Sequence, residues 1–145
     1  MNYCRKGMEM MKSNQKKTVL ITGATSGIGA AYAYALAEKS YDLILTGRRS
    51  EVINEVAERI RKKFQTNVSV IIVELSEAIG IDQFIHTMQS MGPIDILVNN
   101  AGFTSKGLFY QQDVIEQEKM AFVHNIAMMK LTHFRIKIGG RTNAR

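Results

Sequence analysis

The chain has 145 residues, 46% hydrophobic and 22% charged, with one Cys and one Pro. That is the balance of one soluble globular domain; it excludes a disordered tail, a fibrous repeat, a disulfide scaffold and a Cys-based zinc site. The net charge of +6 sits at the ends, since residues 1–17 and 135–145 carry +4 each and residues 18–134 carry −2, so the folded part lacks the basic face that nucleic-acid binding needs.

Residues 1–16 read as a flexible basic extension containing Cys4, with Met11 as an alternative start. The extension has no continuous apolar segment of the signal-peptide kind, and the cytoplasm is the expected location. Thr18–Ala37 is uncharged over 20 residues, but Gly23, Gly27 and Gly29 interrupt it, and no membrane span is expected.

Thr18–Ile21 predicts a buried strand entering a Gly-rich turn, and Ile28–Lys39 predicts a helix. Asp42–Thr46 predicts a second strand. Glu51–Phe64 places Val52, Val56, Ile60 and Phe64 at helical spacing. Val68–Val73 is rich in β-branched residues and predicts a third strand. Ile81, Phe84, Ile85 and Met88 mark the next helix, and Ile94–Val98 predicts a fourth strand. Asp113 to Phe134 is helical again, with Ile115, Phe122, Ile126 and Met129 along one face. Strands alternating with helices imply an α/β fold, a Rossmann-like parallel sheet over residues 17–134, ordered 3-2-1-4, with helices on both faces.

The turn Thr22-Gly23-Ala24-Thr25-Ser26-Gly27-Ile28-Gly29 lies between strand one and helix one. A strand-to-helix turn is a natural diphosphate site: free N–H groups and the positive end of the helix dipole point outward there. Glycine lets backbone and phosphate approach closely. Gly23, Thr25, Ser26, Gly27, Ile28 and Gly29 are therefore candidate cofactor residues. The segment Asn99-Asn100-Ala101-Gly102 directly follows strand four.

TGATSGIGAA and NNAG, in this order and on these elements, resemble the cofactor turn and the sheet-steadying motif of the short-chain dehydrogenase/reductase family, over residues 17–134. The resemblance implies a nicotinamide dinucleotide cofactor and hydride transfer to or from a carbonyl or alcohol carbon. It places Asn100, Ala101 and Gly102 on the adenine side, with Glu74-Leu75 near the adenine. The residue ending strand two sorts the cofactors of the family; here it is Gly47, followed by Arg48. A guanidinium attracts a 2′-phosphate and grips it in two places, whereas an acid would repel it, so NADP is expected over NAD. The alternative is that Arg48 and Arg49 form a solvated basic pair at a helix start, where the dipole disfavours them. Asn125 matches the helix Asn of the family's catalytic tetrad; alternatively it bonds to nearby backbone.

The rest of the tetrad departs from the pattern. The family's proton transfer uses Tyr-x-x-x-Lys and a Ser upstream, the Lys lowering the Tyr pKa. Four residues after Tyr3, Tyr32, Tyr34, Tyr41 and Tyr110 stand Gly7, Leu36, Glu38, Leu45 and Val114, none of them Lys. Helical periodicity ends at Phe134, and residues 135–145 read as a divergent basic tail, either a short strand or foreign sequence. These departures lead us to expect a truncated reductase half, inactive alone, with an exposed sheet edge and marginal stability. The alternative is a non-catalytic NADP-binding or partner-binding module, with the helix of residues 113–134 as the contact surface of a homo-oligomer. A basic-tail adaptor is a further alternative. His86, His124 and His133 share no metal-ligand spacing, so no metal is expected. Met120, Met128 and Met129 read as packing.

Overall fold

In the computed structural model, which describes residues 16–139, each apolar run between Gly-rich or polar punctuation becomes a strand. β1 (Thr18–Thr22), β2 (Asp42–Gly47), β3 (Val68–Ile72) and β4 (Ile96–Val98) form one parallel sheet in the order β3-β2-β1-β4, as expected. Helices α1 (Gly27–Glu38), α2 (Ser50–Phe64) and α3 (Ala78–Gln89) make the crossovers. Thr22 stands level with Thr46 in the β1–β2 register, so the two central strands end together and their turns open on one edge. Most of the expected extension, including Cys4, and the last six residues of the expected tail lie outside the described residues.

The central strands are buried on both faces, which is why they read as continuous apolar runs. Their side chains still alternate. Val19, Ile21, Leu43 and Leu45 pack with Ala33 and Ala37 of α1 and with Ile53, Ala57 and Ile60 of α2. Leu20 and Ile44 face the other layer, against Ile81, Phe84 and Met88 of α3 and the C-terminal helix. The small residues Gly29, Ala33 and Ala37 share one face of α1 and let it lie close on the sheet. On α2 the buried stripe is Ile53, Ala57 and Ile60; of the residues read at helical spacing, Ile60 lies on it and Val56 and Phe64 pack at its margin.

The C-terminal helix corrects two expectations. It starts at Val114, with Asp113 as its cap: Oδ1 accepts from Ile115 N at 3.0 Å. It runs through α4 (Val114–Ala121), a π-helical turn (Phe122–Ala127) and α5 (Met128–Gly139). Residues 135–139 are thus helical and form no strand. They are held there by tertiary contacts: Ile138 packs against the core beside Phe134, and Arg135 Nη2 donates to Asp95 O at 2.6 Å. The core face is also different from the expected one. Val123, Ala127, Leu131 and Phe134 are buried; of the expected face, Phe122 packs partly buried against the core, whereas Ile115, Ile126 and Met129 are exposed. A π turn fits one more residue into the turn than an α-helix does, and this rotates the residues after it. Met128 and Met129, expected to pack, are about half exposed and lie outside the core. Among the described residues, no helix is long and apolar enough to cross a membrane.

Candidate cofactor site

The site begins where β1 stops. At Gly23 the backbone takes φ +68°, and a Cβ there would lie 2.8 Å from the Ala101 Cα, so the turn and the segment after β4 touch backbone to backbone. Hydrogen bonds hold this contact. Thr22 Oγ1 accepts from the N–H groups of Asn100 and Ala101, both at 3.0 Å. Asn100 Nδ2 donates to Thr22 O at 3.0 Å and to Gly23 O at 3.1 Å. Asn99 Nδ2 donates to Thr132 Oγ1 at 3.0 Å, tying the same segment to α5. The four residues from Asn99 to Gly102 are therefore a clamp between the Gly-rich turn and the C-terminal helix.

Above this clamp lies a cleft of about 420 Å³. Of the expected cofactor residues, Gly23, Thr25, Ser26, Ile28, Arg48, Glu74, Leu75, Asn100, Ala101 and Gly102 line it. Gly27 and Gly29 do not: Gly27 opens α1 at φ +58°, and Gly29 is buried where a Cβ would collide with the Asn100 amide and the Gly23 carbonyl. Gly47 and Arg49 also line the cleft. Val73, Phe103 and Val123 complete the wall and were not anticipated. Val123 could have been found from its spacing to Ala127 and Leu131; nothing in the sequence singles out Phe103.

The cleft is built to take an anion beside a flat apolar group. Ser26 is the N-cap of α1, yet its side chain makes no capping bond and the first turn holds no acid, so the positive helix end is left for a ligand. A Cβ on Gly47 would lie 2.7 Å from Thr25 Cγ2, so a larger residue at the end of β2 would press the Thr25 side chain aside. Two guanidiniums stand at the rim. Arg48 Nη1 donates to Glu74 Oε2 at 3.3 Å, and its Cζ lies 5.5 Å from the centroid of the Phe103 ring. Arg49 Nη2 donates to Thr25 Oγ1 and Ser26 Oγ, both at 3.1 Å. Partial burial pushes the Glu74 carboxyl upward, but the Ser76 N–H on Oε1 at 2.9 Å, the Ser76 hydroxyl and Arg48 outweigh it and hold the group below its ordinary value. These residues fit the adenine-diphosphate half of a dinucleotide: donors and a helix end for phosphate, Val73 and Leu75 for a base.

Asn125 lies apart from that cleft, in the π turn. It lines a neighbouring open hollow that shares Asn100, Gly102 and Phe103 with the cleft. Its Nδ2 donates to Ala121 O at 3.0 Å, the local backbone bond that the sequence left open as an alternative. His124 Nε2 lies 2.9 Å from Phe103 O, and its ring fills the space beside Gly102. Among the described residues, no three His, Cys, Asp or Glu side chains cluster as metal ligands.

Comparison with known proteins agrees with this geometry. The family profile described as short chain dehydrogenase matches residues 17–137. An uncharacterized oxidoreductase of Staphylococcus saprophyticus is 37% identical over 111 residues, covering 76% of this chain and 47% of that protein. An NADP-dependent 3-hydroxy acid dehydrogenase of Schizosaccharomyces pombe is 36% identical over 88 residues, covering 59% of this chain and 34% of that protein. The structure of a short-chain dehydrogenase from Sphingobium yanoikuyae in complex with NADPH superposes with TM-score 0.79 and 31% identity, covering 83% of this chain and 47% of that one. The chain spans half or less of the length of these relatives.

Proposed function

Because the chain belongs to the short-chain dehydrogenase family, we propose that it binds NADP through the cleft above β1, with the adenosine end between Arg48 and Leu75 and the diphosphate on the Gly-rich turn. One observation carries the preference for NADP: β2 ends in Gly47, not an acid, and two guanidiniums stand at the rim beside it. An acid there would bind a free ribose 2′-OH; cations there favour a 2′-phosphate. The NADPH complex of the Sphingobium relative and the NADP dependence named for the Schizosaccharomyces relative support the same reading.

The activity proposed for the whole protein is hydride exchange with a carbonyl or alcohol carbon; the bound cofactor would supply the hydride to a carbonyl carbon or accept it from an alcohol carbon. Gly23, Thr25, Ser26, Gly27, Ile28 and Gly29 hold or shape the diphosphate turn. Asn100, Ala101 and Gly102 keep the clamp, and Glu74 and Leu75 border the adenine. Asn125 takes the place of the tetrad Asn. The sequence contains no Tyr four residues before a Lys, so these residues hold cofactor without a Tyr–Lys pair to move a proton, and we read the chain by itself as binding rather than turning over. Val114, Ile115, Met128, Met129 and Ile136 stand exposed along the C-terminal helix, and association of two copies there would cover some of them.

A thermal melt of the full chain with NADPH, and with NADH as control, tests the reading. A ligand that binds the folded state raises the melting temperature. A larger rise with NADPH is expected. Equal rises overturn the NADP preference, and no rise with either overturns cofactor binding.

A further inference from the structure

The segment from Asn99 to Phe103 is tied to the C-terminal helix at both ends. Asn99 Nδ2 donates to Thr132 Oγ1, and the Phe103 carbonyl lies 2.9 Å from His124 Nε2. A carbonyl oxygen only accepts, so Nε2 carries the ring proton and Nδ1 is the bare nitrogen of the neutral ring. The ring also lies on Gly102: a Cβ there would stand 2.5 Å from His124 Cε1 and 3.1 Å from Nε2. Glycine at this position admits the ring, and the ring with its hydrogen bond fixes where the backbone runs next. Phe103 is what it fixes. Phe103 lines both the cofactor cleft and the hollow that contains Asn125, and so stands as a partition between them. On the cleft side its ring meets the Arg48 guanidinium. His124 itself lines the hollow and not the cleft.

We propose that His124 is a positioning residue for the cofactor cleft: its Nε2–H, held on the Phe103 carbonyl, sets the Phe103 partition before NADP arrives. The proposal rests on the NADP reading of the cleft and adds to it a residue that acts from outside the cleft, through Phe103. The need for such a tie follows from Gly102. Glycine leaves the backbone more freedom than any other residue, and a wall that moves must be ordered when a ligand binds. That ordering is subtracted from affinity, and a bond already made in the free protein removes the cost. The Asn99–Thr132 bond cannot do this, because Gly102 lies between it and Phe103. The donor therefore has to come from the far side of the glycine, and the π turn presents His124 there.

The test uses the full chain, with calorimetric titration of NADPH and nitrogen NMR of the histidine rings. His124→Gln keeps an N–H donor near the place of Nε2. His124→Phe keeps a flat ring on Gly102 and loses the donor. His124→Phe is expected to weaken NADPH binding about three- to tenfold, the scale of one neutral hydrogen bond, and His124→Gln to stay close to the wild type. A role in packing alone predicts the reverse order, because phenylalanine keeps the ring and glutamine does not. That reverse order overturns the proposal, as does wild-type affinity in His124→Phe. If His124→Phe fails to fold, His124→Asn takes its place, since its amide nitrogen stands where Nδ1 stood and falls short of the carbonyl. In the wild type without cofactor, the neutral His124 ring is expected to carry its proton on Nε2, and a proton on Nδ1 overturns the contact itself. A wild-type chain that binds no NADPH overturns the NADP reading, which is a different result from NADPH binding that is indifferent to His124.

Discussion

Asn100 and Thr22 hold each other twice: the Asn100 N–H donates to Thr22 Oγ1 and the Asn100 side-chain amide donates to Thr22 O, each at 3.0 Å. The amide also reaches Gly23 O. One residue after β4 thereby fixes both the end of β1 and the first residue of the turn, and the shape of the cleft depends on it.

Asn100→Ala strips the Thr22 and Gly23 carbonyls of this donor. A lost buried partner costs ~1–3 kcal/mol. The urea midpoint is expected to fall accordingly, and NADPH binding to weaken more than stability alone explains. An unchanged midpoint with unchanged binding would remove the clamp from the account of the site.

Gly29→Ala and Gly27→Ala separate packing from backbone conformation. At Gly29 the new Cβ meets the Asn100 amide and the Gly23 carbonyl, so the turn and its clamp must shift; overpacking of this kind costs ~1–3 kcal/mol. At Gly27 the Cβ meets open space, and the cost is that of one left-handed residue, ~1–2 kcal/mol. Both lower the melting temperature, and both are expected to weaken NADPH binding: Gly29→Ala by shifting the clamp, and Gly27→Ala by setting a methyl on the turn proposed to hold the diphosphate. NADPH titration of the two variants checks it; an affinity unchanged in Gly29→Ala contradicts the packing seen here.

The Arg48–Glu74 pair gives a pH dependence of known sign. The folded state holds the Glu74 carboxyl below its ordinary value of 4.5. Its contribution is therefore full above about pH 4.5 and fades as pH falls through the lower folded value. The side chains are 59% and 40% exposed, and solvent screening keeps the pair to ~0–1 kcal/mol. Glu74→Gln is expected to lower the denaturation midpoint slightly at pH 7 and to match the wild type in strong acid. A difference that instead grows toward low pH contradicts the pairing.

The face of the C-terminal helix can be checked with two truncations. Leu131 is fully buried in the second core layer, and Leu131→Ala leaves a cavity costing ~2–5 kcal/mol. Met129 is exposed, and Met129→Ala should stay within ~0.5 kcal/mol. Denaturation curves that rank the two the other way round would restore the face read from the sequence.

The strand order, the place of the Gly-rich turn and the residues of the clamp could be read from the sequence, because they rest on local signals. Alternating apolar runs and helical segments leave a parallel sheet few arrangements, and glycine at a strand end marks a turn whatever surrounds it. Ten of the expected cofactor residues line one cleft for this reason. Only the tertiary structure decided where Arg48 and Arg49 point. Adjacent side chains in a loop have no fixed periodicity, and the partners that sort them, Glu74 and Phe103 for one, Thr25 and Ser26 for the other, come from three separate connections. The core face of the last helix was decided in the same way. The chain is apolar on two sides from Val114 to Ile138, and the π turn at Phe122–Ala127 together with the packing of Leu131, Phe134 and Ile138 selects which side meets the sheet. Periodicity reports that a helix has an apolar face; it takes the neighbouring layer to choose between two.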